Sequence, residues 1–278
     1  MSRKQWLVVG FACLILIGLG FFGKRTSPFV AALPIEDSNA ALSTTQIISS
    51  AKKILNENQL QVLTALENSV VRGNVQEQQI NAYKQIAKLW IDSFHRADLA
   101  NYYRGEAAKL EKSEKNLSFA ALFFLEDLLL EQNPARQKWL AGEAQTLFEK
   151  GLEINPDNDS LKVGLGACYL FGGTSSTPMQ GVSLIKGVAD KNPDNLFARM
   201  MLGLGNIKNG QLDKALEYFE YILTRDPDNL EAAFNLAETF EQKGDKGNAI
   251  KWYKTIREKI EVPEAKKELD NRISSLEN

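Results

Sequence analysis

Histidine and cysteine are almost absent from this chain. His95 stands alone, and Cys13 and Cys168 are the two cysteines among 278 residues. A catalytic histidine, or a zinc site that includes one, needs partners for His95 that no cysteine or second histidine supplies. Cys13 sits in an apolar stretch and Cys168 inside a helical pattern, so the two do not read as a disulfide pair, and neither fixes a redox compartment. An excess of charge is also lacking: 33 Lys and Arg stand against 35 Asp and Glu, a formal −2. Without a basic surplus, nucleic acid is a poor partner. No phosphate loop is present either. GGTSSTPMQG at 172–181 has the glycines and hydroxyls of one, but no lysine after its last glycine and no strand before it. The many carboxylates fall on helix faces such as EYFE and EKSEK, where solvated ion pairs are the ordinary outcome. FHRAD at 94–98 places His95 in a turn between two helices. These absences predict no catalytic, cofactor-binding or metal site, no cofactor and no small-molecule substrate.

A long apolar run is present at the N-terminus. WLVVGFACLILIGLGFF, residues 6–22, carries no charge and is flanked by Arg3 and Lys4 before it and Lys24 and Arg25 after it. At 1.5 Å per residue it spans about 25 Å, and with Gly23 and snorkelling flanks it is long enough to cross a bilayer. A cleaved signal peptide has a shorter apolar region and a small-residue cleavage site, for which VAA at 30–32 is a weak match. Cys13 follows Gly10, Phe11 and Ala12, a poor lipidation box. An uncleaved anchor over 6–23 is the better reading. Counting the terminal amine, the positive-inside rule favours a cytoplasmic N-terminus by one charge. The remainder then lies outside the cytoplasm, in the periplasm of a cell that has one, attached to an inner (cytoplasmic) membrane. Residues 26–45 are proline-containing, small and polar, and close a linker over 24–45.

Beyond the linker a period emerges. INPDND at 154–159, KNPDNL at 191–196 and RDPDNL at 225–230 place Pro156, Pro193 and Pro227 at intervals of 37 and 34 residues. Between them the pattern is helix, turn, helix. LFARMMLGLGNIKNG brings Leu202, Gly203 and Ile207 to one face, and QLDKALEYFEYILTRDP brings Leu212, Ala215, Leu216, Phe219 and Ile222 to another. The next unit repeats the scheme with Leu236, Ala237 and Phe240, then Ala249, Tyr253 and Ile256.

These units resemble tetratricopeptide (TPR) repeats. In that family Leu-Gly and an aromatic mark the first helix, and Ala, an aromatic, Ala and Pro mark the second. Leu202-Gly203, Ala215, Phe219, Ile222 and Pro227 stand in those places, as do Leu236-Ala237, Phe240, Ala249, Tyr253 and Ile256. Ala237, Ile222 and Ile256 depart from the pattern within the tolerated size range. Upstream, Leu165-Gly166 and Tyr169 form a first helix, and Gly181, Ile185 and Val188 a second. The turn between them is about three residues longer than usual, which accounts for the 37-residue interval. Met179 and Pro178 are expected to plug that turn. Earlier units are irregular: Ala144 and Phe148 hold register after an insertion near Pro134, and Ala100, Tyr103 and Ala107 mark a weaker one. Asn56 is a candidate N-cap, and NVQE at 74–77 a candidate capping box.

The resemblance implies an all-α fold, a TPR-type right-handed α-solenoid of about five units plus a capping helix, behind one transmembrane helix. The divisions are a stub over 1–5, the anchor over 6–23, the linker over 24–45, a helical lead-in over 46–80, the array over 81–262 and the cap over 263–278. The whole chain is also similar to single-pass membrane-anchored TPR proteins of Bacteroidetes-type bacteria.

Carried onto this sequence, the family's concave positions are Val163, Ala167 and Leu170, then Phe197, Met200, Leu204 and Ile207, then Phe234, Asn235, Glu238 and Gln242. This mostly apolar set suits a helix or extended peptide. Val163 and Ala167, or Met200 and Leu204, stand where chaperone-binding TPR domains carry the Lys and Asn that grip a C-terminal acidic tail, so no such clamp is expected. The expected role is a scaffold or adaptor that binds a protein or peptide in its groove, without catalysis. The alternatives are an accessory subunit of an envelope complex for translocation or cytochrome maturation, and an enzyme accessory with a site between the lead-in and the repeats.

Overall fold

The computed structural model describes residues 42–72, 75–173 and 178–278. The apolar run at 6–23, Asn74 and residues 174–177 of the long turn lie outside the described residues. Among the described residues there are thirteen α-helices and no strand, and no helix long and apolar enough to cross a membrane. In chain order they are α1 (Thr44–Lys52), α2 (Glu57–Arg72), α3 (Gln76–Asp92), α4 (Ala97–Glu111), α5 (Glu114–Leu130), α6 (Pro134–Ile154), α7 (Asp159–Phe171), α8 (Pro178–Lys191), α9 (Leu196–Lys208), α10 (Leu212–Arg225), α11 (Leu230–Gln242), α12 (Lys246–Lys259) and α13 (Pro263–Glu277).

The recurring Pro-Asp-Asn phrase has a local physical cause. In each copy the backbone folds into a turn around the proline, and the asparagine then caps the helix that follows. Asn158 Oδ1 accepts from Leu161 N at 3.0 Å, Asn195 Oδ1 from Ala198 N at 2.9 Å, and Asn229 Oδ1 from Ala232 N at 2.9 Å. Each bond satisfies an amide that the first turn of a helix leaves unpaired. The turn inside each unit is set by glycine in the left-handed region: Gly173 at φ 71°, Gly210 at 69° and Gly244 at 79°. From there α10 and α12 begin two residues on, whereas α8 begins five residues on (178 against 173). The long turn therefore starts like the others and carries three extra residues.

The described chain divides into two compact units, residues 42–185 and 186–278. In the first, α3 packs on α4, α5 on α6 and α6 on α7, around Ile86, Trp90, Leu99, Phe124 and Phe148, all fully buried. The crossing of α7 with the start of α8 admits no side chain on either helix. A Cβ on Gly166 would lie 2.7 Å from Ile185 Cγ1 and 2.9 Å from the Gly181 carbonyl oxygen, and one on Gly181 would run into the Gly166 carbonyl oxygen. Ahead of the pairs, Asn56 caps α2 through a reciprocal box with Gln59, at 2.9 and 3.0 Å. Helix α1 docks on α6 through Thr44, whose hydroxyl accepts from Trp139 Nε1 at 3.0 Å and donates to Glu143 at 2.7 Å. In the second unit α9 pairs with α10, α11 with α12, and α13 closes on α12. There Gly203 leaves room for Phe219, whose ring would lie 2.6 Å from an added Cβ, while Ala237 takes the matching place beside fully buried Tyr253.

Val75 stands at the N-cap of α3, and Asn74 of the expected NVQE capping box lies outside the described residues. One expectation fails. Met179 is 77 % exposed, so it plugs nothing. It sits in the first turn of α8.

Candidate functional site

Of the eleven groove residues read from the sequence, the structure buries five. Val163, Ala167 and Leu170 on α7 are core of the first unit; Met200 on α9 and Phe234 on α11 are core of the second. These five side chains pack in the core instead of lining a groove. The 3.6-residue period identifies a helix face but not the element that covers it. Phe197, Leu204 and Ile207 stay half-exposed on α9, spaced i, i+7 and i+10, and so share one face. Asn235 is half-exposed beside them. Its Nδ2 donates to the Glu231 carbonyl oxygen at 2.9 Å and lies 3.9 Å from Met200 Sδ, joining α11 to α9. Gln242 is exposed at the end of α11.

Glu238 is taken up by the chain itself. Arg272 of α13 reaches back to α11, with Nη1 3.1 Å from Glu238 and Nε 2.8 Å from Glu241. Its guanidinium lies 5.8 Å from the ring centre of Phe234 and 5.1 Å from that of Tyr253, and the Tyr253 hydroxyl donates to Glu241 at 2.8 Å. Burial raises the Glu238 pKa against the opposing pull of Arg272. The C-terminal helix thus fills the polar end expected to receive a ligand. What remains half-exposed is Phe197, Leu204 and Ile207 of α9, with Met200 buried between them and the Asn235 amide alongside.

The carboxylates are less uniformly solvated than the sequence suggested. In the first unit Asp98 is 8 % exposed at the start of α4. Arg96 Nε and Nη2 donate to it at 2.9 and 2.8 Å, and Arg136 Nη2 lies 3.5 Å away. Burial acts to raise its pKa, but these arginines outweigh it and the net shift is downward. Asp127 nearby has no such grip: burial, then the Asp98 charge, push it up to about 7. Arg136, bonded to Glu131 at 2.6 Å, neutralises part of the group. Arg96 and Asp98, two residues apart at a helix start, were the one readable signal of this cluster. His95 is exposed in the adjoining turn, as expected, at φ 52°. Among the described residues no three His, Cys, Asp or Glu side chains are grouped to hold a metal ion.

A tetratricopeptide repeat family model matches residues 200–263, the stretch from mid-α9 to the start of α13. Among solved structures, the thermophilic TPR protein TTC0263 of Thermus thermophilus is 18 % identical, over 71 % of this chain and 98 % of that one, with a TM-score of 0.52. PilW, a type IV pilus biogenesis factor, is 20 % identical over 70 % of this chain and 92 % of its own, at a TM-score of 0.45. YrrB, a TPR protein with an unusual peptide-binding site, is 21 % identical over 64 % and 84 %, at 0.37. The family match and the likeness to TTC0263 support the TPR reading of the helix-turn-helix units, and that likeness is one of fold.

Proposed function

We propose that the chain is a membrane-anchored adaptor that performs no catalysis and holds a protein segment on the exposed face of α9. The observation that carries the reading is the strip of Phe197, Leu204 and Ile207, half-exposed inside a repeat whose core side chains are buried. An apolar strip with spacing i, i+7, i+10 meets the apolar side of a helix or an extended segment, and the Asn235 side chain stands at its edge to fix register. The anchor over 6–23 would hold this face at the membrane, and an accessory place in an envelope assembly is one form of the same role.

A photo-crosslinker placed at Leu204 in the full chain, in native membranes, tests this. Quantitative mass spectrometry should show a defined captured set that falls at least fivefold with Phe197→Glu and Ile207→Glu combined. Circular dichroism should remain helical, since both positions are half-exposed. A captured set unchanged by the double variant would overturn the α9 face as the binding surface.

A further inference from the structure

A second surface, unrelated to the α9 strip, lies between α9 and α10. A cavity of about 450 Å³ is lined by Arg199, Lys214, Glu217, Tyr218 and Tyr221. Arg199 is one position before Met200, so it projects roughly 100° around the helix from that buried side chain.

Its guanidinium is held in place. The Arg199 carbon Cζ sits 3.7 Å from the Tyr221 ring centre, a close stack, and Nε donates to the Pro193 carbonyl oxygen at 2.7 Å. That leaves both terminal nitrogens without a protein acceptor among the described residues. Tyr221 is itself fixed: Arg225 Nη2 donates to its hydroxyl at 3.2 Å, and Arg225 Cζ lies 5.2 Å from its ring centre. Lys214 is exposed and bonded only to Gln211 at 3.1 Å, and the Tyr218 hydroxyl makes no hydrogen bond among the described residues. A stacked arginine with a free fork loses little side-chain freedom on binding and matches a carboxylate in a bidentate manner. The cavity is at the small end of ligand sites and admits one or two side chains, not a docked helix.

We propose that this cleft binds a carboxylate-bearing stretch of a partner polypeptide, seated between Arg199 and Lys214 with the tyrosine hydroxyls as further donors. Glu217, exposed at the rim, opposes the same ligand and limits its affinity. This differs from the C-terminal-tail clamp of other TPR domains, whose residues are absent from α9.

The test uses the full chain in mild detergent at low salt and a fluorescein-labelled Gly-Asp-Glu-Asp-Glu-Gly amide, read by polarisation. Arg199→Ala should weaken binding roughly five- to tenfold, with Arg199→Lys in between. Lys214→Ala should weaken it about two- to fivefold and Glu217→Gln should tighten it, while Lys251→Ala on α12 changes nothing. The two exposed substitutions keep the proposal falsifiable if Arg199→Ala loosens the α9–α10 contact. Equal binding of the Asn/Gln version of the peptide would overturn it. So would Lys214→Ala and Glu217→Gln both matching the parent, or Lys251→Ala acting like Lys214→Ala. Displacement by 1 mM inorganic phosphate but not by acetate would overturn the carboxylate in favour of a phosphate group.

Discussion

At the residue scale, Asp127 is the side chain whose charge the first unit accommodates least well. Asp98 is close by and ionised, and the arginines are engaged elsewhere, so burial and repulsion hold Asp127 at about 7 against an ordinary 3.8. The sign follows from proton counting. Between those values the folded chain binds a proton that the unfolded chain has lost, so the stability Asp127 contributes is complete below pH 4. It is lost as pH rises through 7. Asp127→Asn should therefore flatten the pH dependence and stabilise the protein above pH 7 by about 1 kcal/mol, a figure reduced for the part of the side chain that water still screens. Urea melts of parent and variant at pH 4.5 and 7.5 would decide it, and an equal difference at the two pH values would refute the assignment. None of this was legible in the sequence, where Glu126 and Asp127 resemble any acidic pair on a helix. The glycines were legible. Gly166 and Gly203 stand where a family pattern demands a small residue, and the structure supplies the reason in the Gly181 backbone and the Phe219 ring.

At the scale of elements, the periodicity of apolar residues located the helices well, and the Pro-Asp-Asn phrase gave the period, while its role as a cap emerged only from the structure. What it could not locate is which helix lies over which. Arg272 and its partners Glu238 and Glu241 are 34 and 31 residues apart in sequence, and no local pattern joins them. The consequence is that α13 is more than a polar lid. Ala265, Leu269 and Ile273 enter the apolar cluster around Tyr253, and Arg272 supplies the charge that offsets Glu238. Removing one partner of such a pair leaves the other buried and uncompensated. Arg272→Ala should cost roughly 2–4 kcal/mol in urea denaturation, and adding Glu238→Gln should recover part of that loss. If the double variant is no more stable than Arg272→Ala alone, Glu238 does not depend on Arg272. The same helix explains why Phe234 and Glu238 left the list of groove residues while Phe197, Leu204 and Ile207 stayed on it.

At the scale of the whole molecule the open question is where these repeats reside, and it turns on a few charges at the N-terminus. Arg3 and Lys4 precede the apolar run and Lys24 and Arg25 follow it, so side chains alone are balanced at two against two. We propose a cytoplasmic N-terminus, which would put the repeats on the far side of the membrane. A balance this close makes the orientation easy to reverse. With alkaline phosphatase fused after Asn278, a bacterial host should show phosphatase activity, and the matching green fluorescent protein fusion should stay dark. Replacing Arg3 and Lys4 by Ala removes both basic side chains ahead of the run and should shift a large fraction of the fusion to the fluorescent, phosphatase-inactive form. A fluorescent parent fusion would place the repeats in the cytoplasm and reverse the proposed orientation. Recovery of either fusion in the carbonate-soluble fraction would refute the anchor itself, because one helix of about 25 Å of apolar length does not leave a bilayer at high pH.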